Sequence, residues 1–185
     1  ALCEGWRARD LAAHLVIRER RPDAALGMVA SPLAGYTSRV QRSVRDGQPW
    51  EQLVQRVRTG PPFPFSLAPV DSMVNTVEYF VHLEDVRRAA PHWTVRPLDD
   101  DLVSALWSRL RLIARMVAGR APVGVVLEAP GRGVITAKAK DPRVKVVGEP
   151  GELVLWAFGR QRAAEVRYEG DREAVSELSR AKLGF

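Results

Sequence analysis

Four polar side chains recur at helical spacing late in one apolar segment. Asn75, Glu78, His82 and Asp85 stand three, four and three residues apart. That spacing lines them along one stripe of an α-helix. Val74, Val77 and Val81 flank the stripe, so it lies beside the face that turns inward. Burying a carboxylate and an imidazole there costs several kcal/mol unless they pair or bind a metal. On this helix alone the simpler reading is a solvated face, or Glu78 and His82 hydrogen-bonded to each other.

His14 adds a third group of the same chemistry. It follows Leu11 and precedes Leu15 on the apolar side of its own helix. Taken singly, a histidine there is more simply a satisfied core residue. Beside a Glu-x3-His stripe on another helix it completes a His/Glu/His set. Side chains at i and i+4 project together and can share one ion, while a facing helix supplies the third ligand. Three protein ligands leave a position open for water or substrate, the arrangement of a catalytic zinc. Asp85, one turn beyond His82, is placed to orient that imidazole or to hold a substrate group. His92 falls between Pro91 and Trp93 in a loop and is left out of the site.

The elements that must position these residues are legible from periodicity and breakers. Asp10 to Arg20 reads as a helix with Leu11, His14, Leu15 and Ile17 at helical spacing, stopped at Pro22. Residues 23–46 continue in helical pieces around Pro32. Pro49 opens a short helix through Arg58. Thr59 to Pro64 is proline-rich and reads as an extended loop. Two long helices follow, over 70–89 and 98–119, with Pro91 and Pro97 between them. After Ala121-Pro122 the composition turns β-branched. Gly124–Glu128, Gly133–Lys138 and Arg143–Val147 read as strands, with a hairpin turn at Pro130–Gly133. That turn could be taken for a phosphate loop, but it lacks the following helix such loops need. A helix from Pro150 to Phe158, capped by Gly159, a strand over Ala164–Tyr168 and a helix from Asp171 complete the chain. The fold class expected is α+β: a helical domain over 1–120 and a small α+β domain over 121–185.

Composition sets outer limits. The chain has 185 residues and one cysteine, Cys3, which excludes a disulfide framework and cysteine-based zinc fingers. Cys3 reads as a small buried residue more simply than as a nucleophile, because no His or Lys stands near it in sequence. Apolar runs fall short of a membrane span and no signal-peptide order is present, so the expectation is a cytoplasmic protein without a membrane partner. The net charge of +6 is spread thinly, with a surplus of four basic residues in 1–120 and two in 121–185. Arg outnumbers Lys 24 to 4, and no basic block exceeds short pairs such as Arg87-Arg88. A nucleic-acid partner is not expected, since clustering is its footprint. Trp6, Trp107 and Trp156 read as core or domain-interface residues.

Three motifs in this order carry a resemblance. Cys3-Glu4-Gly5-Trp6 running into Arg9-Asp10-Leu11-Ala12-Ala13-His14-Leu15 resembles the first ligand motif of the mycothiol-dependent maleylpyruvate isomerase family. That family belongs to the DinB-like metal-binding four-helix bundles. Glu78-Tyr79-Phe80-Val81-His82-Leu83-Glu84-Asp85 resembles its second motif, Glu-x3-His-x2-Asp. Gly148 to Arg160 is similar to the helix of its small sterol-carrier-like C-terminal domain. The resemblance implies metal ligands His14, Glu78 and His82. It also implies a DinB-like bundle whose first helix has no counterpart before Trp6 in this chain. The Arg-rich region between the motifs matches no substrate pocket, so a member of the wider metal-binding branch with a different reaction is expected.

The implied cofactors are a divalent metal, most simply Zn²⁺, and mycothiol. In the isomerase the thiolate adds to a conjugated double bond, permits rotation and leaves; relatives would transfer the thiol to other electrophiles. Asp85 and Arg18 are the residues expected to assist catalysis. Arg18, one turn after His14, and Asn75, at the head of the stripe, are the candidates to bind the thiol cofactor or an anionic substrate. For Arg18 an ordinary ion pair is the simpler alternative. The partners expected are a small-molecule thiol and an electrophilic substrate, with a homodimer left open. Two other classes compete: a non-catalytic metal-containing protein whose C-terminal module holds an apolar ligand, and a DNA-binding regulator suggested only by the basic pI.

Overall fold

The structure, a computed structural model, describes residues 2, 5–25, 31–61 and 69–183. Its mixed α+β architecture comprises eight α-helices and a four-stranded sheet among the described residues. By contacts the chain groups into two units, 1–75 with 82–93 and 76–81 with 94–185.

In the first unit, α1 (Ala8–Arg20) begins where the Asp10 carboxylate accepts the Arg7 backbone N–H at 2.9 Å. This is the returning half of a capping box, which satisfies a donor that a helix start leaves open. Arg45 of α3 (Ala34–Asp46) donates to the same carboxylate at 2.9 Å, and Arg9 donates to the Arg45 carbonyl at 2.7 Å. The short helix α2 (Pro22–Ala25) and a 3-10 turn at Ser31–Leu33 precede α3, in keeping with the break expected at Pro32. α4 (Trp50–Arg58) starts directly after Pro49. One face of α1 packs on these helices in two clusters: Ala12, Ala13 and Val16 with Leu53, and Ile17 with Ala24 and Val40. The proline-rich loop from Pro62 to Pro64 lies outside the described residues.

Asp10 links this packing to pH. The hydrogen bond from Arg45 and the Arg7 N–H hold its carboxyl below the ordinary aspartate value, against the opposing effect of burial. A depressed folded pKa means the contribution to stability is complete above the unfolded value. It is lost as pH falls through the folded one, below about pH 4. Asp10→Asn is therefore expected to lower the melting temperature near neutrality and to flatten the acid limb of the stability profile. Thermal denaturation of both proteins from pH 7 to pH 3 checks this; parallel curves would contradict it.

α5 (Pro69–Arg87) serves both units. Val77, Phe80 and Val81 enter the core of the second, while Asn75 and the turns from His82 onward belong to the first. In the second unit, α6 (Asp100–Val117) is capped by Asp99, whose carboxylate accepts the Leu102 N–H at 2.8 Å. The sheet has the order β2-β1-β3-β4, from strands β1 (Gly124–Ala129), β2 (Gly133–Lys138), β3 (Arg143–Val147) and β4 (Arg167–Gly170). β1 runs antiparallel to β2 and parallel to β3, and β3 is antiparallel to β4. Val125, Leu127 and Ala129 alternate into the core, as a sheet with one covered face requires. A Cβ on Gly124 would stand 1.8 Å from the Lys140 carbonyl oxygen, so β1 can enter the sheet there only as glycine. α7 (Pro150–Ala157) is buried along its whole length, and α8 (Arg172–Arg180) is capped by Asp171.

Two expectations are corrected here. The helix read over 98–119 was assigned to a domain ending at residue 120, but α6 shares one core with the sheet. Leu106, Leu110, Ala114 and Val117 cluster with Val125 and Leu127. The change of composition at Ala121-Pro122 marks the first strand, not the edge of that core. The last strand was expected over Ala164–Tyr168 and instead spans Arg167–Gly170. The cause is tertiary: the buried Glu152 carboxylate of α7 accepts the Glu165 N–H at 2.8 Å, which takes that donor away from a ladder. Pairing begins only at Arg167 opposite Val147. α5 and α6 also end two residues inside the expected bounds, the ordinary uncertainty of helix termini.

Candidate metal centre

α1 and α5 carry the three candidate ligands together with Asp85, Arg18 and Asn75, and they run antiparallel along them. Three pairings show the direction: the Leu2 N–H donates to the Asp85 carbonyl at 3.0 Å, His14 meets His82, and Arg18 meets Asn75. Ascending one helix thus descends the other.

The three expected ligands converge. His14, Glu78 and His82 each offer one ligand atom, and these atoms lie within 4.8 Å of one another. The two imidazole rings meet edge to face, with centroids 5.1 Å apart at 76°. His82 is buried at 8% exposure, while His14 and Glu78 are half-buried and thus reachable from solvent. Donor atoms sharing one zinc stand about 3–4 Å apart. Side-chain adjustments of about an ångström would bring this set onto an ion.

Asp85 supports the centre from within the helix. Its carboxylate, 0% exposed, lies 3.0 Å from His82 Nδ1. A carboxylate accepts there, which in the neutral imidazole favours the tautomer with the proton on Nδ1 and the Nε2 lone pair open to a cation. The contact places Asp85 against His82 in the arrangement by which metal centres orient an imidazole.

Arg18 and Asn75 are also brought together, one turn further along both helices. Arg18 Nη1 donates to Asn75 Oδ1 at 2.6 Å. The ordinary ion pair considered for Arg18 is not what its hydrogen bond shows, since the partner is a neutral amide. His92 is exposed on its loop, consistent with leaving it out. Cys3 lies outside the described residues.

Sequence reasoning missed two features. Trp6 was read as a core or interface residue, but it is half-buried with its ring edge-on to His14, centroids 5.4 Å apart. It forms a wall of the centre, and its place eight residues before His14 in the first motif was the available signal. Beside Asp85 in the sequence, Glu84 anchors a buried ion network. Glu84 at 1% exposure accepts from Arg88 Nε at 2.9 Å and from Arg87 Nη1 at 2.9 Å. The Arg88 guanidinium lies 4.6 Å over the Trp93 ring, a cation–π contact. Trp107 and Trp156 are buried in the core of the second unit.

The site and fold thus define an α+β chain with a helix-borne His/Glu/His group able to hold a divalent cation. No family model, curated protein or solved structure matches the chain. No helix among the described residues is long and apolar enough to cross a membrane.

Proposed function

We propose that this chain is a divalent-metal-dependent, thiol-using isomerase or S-transferase acting on a small electrophilic substrate, related to the mycothiol-dependent maleylpyruvate isomerases. On this reading the first unit is a DinB-like metal-binding bundle, the sheet unit a sterol-carrier-like module, and mycothiol the thiol. One observation carries the reading. Residues named as ligands from two motifs over sixty positions apart present their ligand atoms within 4.8 Å of one another.

The chemistry of the donor set fits an ion such as Zn²⁺. Two neutral imidazoles and one carboxylate are borderline ligands suited to it, and three of them leave a coordination position open. When bound, such an ion supplies Lewis acidity that lowers the pKa of a thiol or water. The protein's own groups do the rest. Glu78 contributes one negative charge, so the centre with a divalent cation stays net positive and favours an anionic sulfur. Asp85 keeps His82 in the tautomer with Nε2 unprotonated. Trp6 closes one side of His14 with an apolar ring and limits water there. Addition of a thiol across a conjugated double bond and its later elimination return the thiol unchanged, so isomerisation needs no oxidant or reductant.

Calorimetric titration of mycothiol into metal-loaded and metal-stripped protein tests this. Binding is expected in the loaded protein and to be lost, by at least about tenfold in affinity, after stripping. Thiol binding that ignores the metal would contradict the reading. Metal loading with no thiol binding, alongside uptake of an apolar ligand, would favour a non-catalytic carrier instead.

A further inference from the structure

Arg18 poses a question that the metal ligands do not answer. It is a half-buried guanidinium whose hydrogen bond among the described residues goes to an amide, not to a carboxylate. Its positive charge is therefore not neutralised by any ion pair among those residues. A guanidinium carries five N–H donors, and the bond to Asn75 uses only Nη1. The edge formed by Nε and Nη2 makes no hydrogen bond among the described residues. That edge is the fork that grips a carboxylate with two parallel bonds.

Asn75 is oriented by the same contact. Its Oδ1 accepts from Arg18, which leaves Nδ2 as the group the amide offers elsewhere. The pair therefore presents chiefly donors: a cationic fork and an amide NH₂, beside one remaining lone pair of Oδ1. A donor-rich constellation with a net positive charge favours an anion over a neutral hydrogen-bonding group. Its position relative to the centre follows from helix geometry. Arg18 is four residues past His14, about 6 Å along α1, and Asn75 is three before Glu78, about 4.5 Å along α5. Both lie on the stripes that carry the ligands, one turn away.

We propose that Arg18 and Asn75 form a carboxylate-binding subsite beside the metal centre, so that the ligand is a small molecule with a carboxylate a few bonds from the atom placed at the metal. The inference rests on the metal-site reading for the second half of that statement alone; the oxyanion subsite stands on the Arg18–Asn75 pair. The carboxylate can belong to the thiol or to the electrophile, and the two sources are separable.

The test is calorimetry on zinc-loaded protein, wild type and Arg18→Gln, with three probes: 3-mercaptopropionate, its methyl ester, and succinate in the presence of 2-mercaptoethanol. In the wild type the acid is expected to bind at least about tenfold more tightly than the ester, the scale of a charge-assisted bidentate contact. Arg18→Gln is expected to erase that preference while keeping its zinc and its affinity for the ester. Arg18-dependent binding of succinate alongside the neutral thiol assigns the carboxylate to the electrophile. Its restriction to 3-mercaptopropionate assigns the carboxylate to the thiol, and either result supports the subsite. Equal binding of acid and ester in the wild type, or a preference that survives in Arg18→Gln, would overturn it. Failure of the metal reading looks different: the protein then takes up no zinc, while Arg18-dependent succinate binding can still be measured without it.

Discussion

Replacing Glu84 by alanine is expected to destabilise the protein by about 3–5 kcal/mol, the usual cost of removing one partner from a buried ion pair. The side chain is 1% exposed and receives hydrogen bonds from Arg87 and Arg88. Arg87 can turn to water, since its side chain is 32% exposed. Arg88 cannot, at 2% side-chain exposure, so its charge is left in the interior without that carboxylate, its guanidinium against the Trp93 ring. A loss of that size is a large part of the 5–15 kcal/mol that holds a typical domain folded. The companion variant separates charge from packing. Glu84→Leu combined with Arg88→Met removes both charges and keeps apolar volume, and is expected to recover most of the loss. Urea denaturation of the three proteins decides it. A Glu84→Ala variant within about 1 kcal/mol of wild type would mean that this network is not buried as described.

Asp85→Asn is expected to weaken metal binding about 10- to 100-fold while leaving the metal-free protein as stable as before. The two parts have one cause. Asparagine fills the same buried space, and burying an amide costs less than burying a carboxylate. But an amide can also donate to His82 Nδ1, which shifts the ring proton to Nε2 and blocks the ligand atom. Competition with a chromophoric chelator measures the affinity, and melting of the stripped proteins measures the fold. Unchanged affinity would remove Asp85 from the centre.

How much of this could be read from the chain depended on whether the determinant was local. The stripe on α5 was legible because helical periodicity is a property of neighbouring residues, and so was the place of His14 on the apolar side of α1. The strands β1 to β3 appeared within a residue of their observed bounds because β-branched runs and the Pro130–Gly133 turn mark them directly. β4 did not, since its start depends on Glu152 capturing the Glu165 N–H from another element. The membership of α6 in the sheet unit was hidden for a related reason: Leu106 and Leu110 show that a face is buried, never against what. The same limit applied at the centre. That Arg18 meets Asn75 requires the antiparallel offset of α1 and α5, which no spacing within either helix reveals.

Metal content of the purified protein, wild type against His82→Ala, tests the central claim most directly. His82 supplies the buried, oriented member of the ligand set, and its removal leaves two of that set's three ligands. Two side chains on separate helices hold a divalent ion far more weakly than three. Elemental mass spectrometry after exchange into metal-free buffer is expected to find about one equivalent of divalent metal in the wild type and almost none in the variant. Full occupancy in His82→Ala would contradict the His14/Glu78/His82 centre.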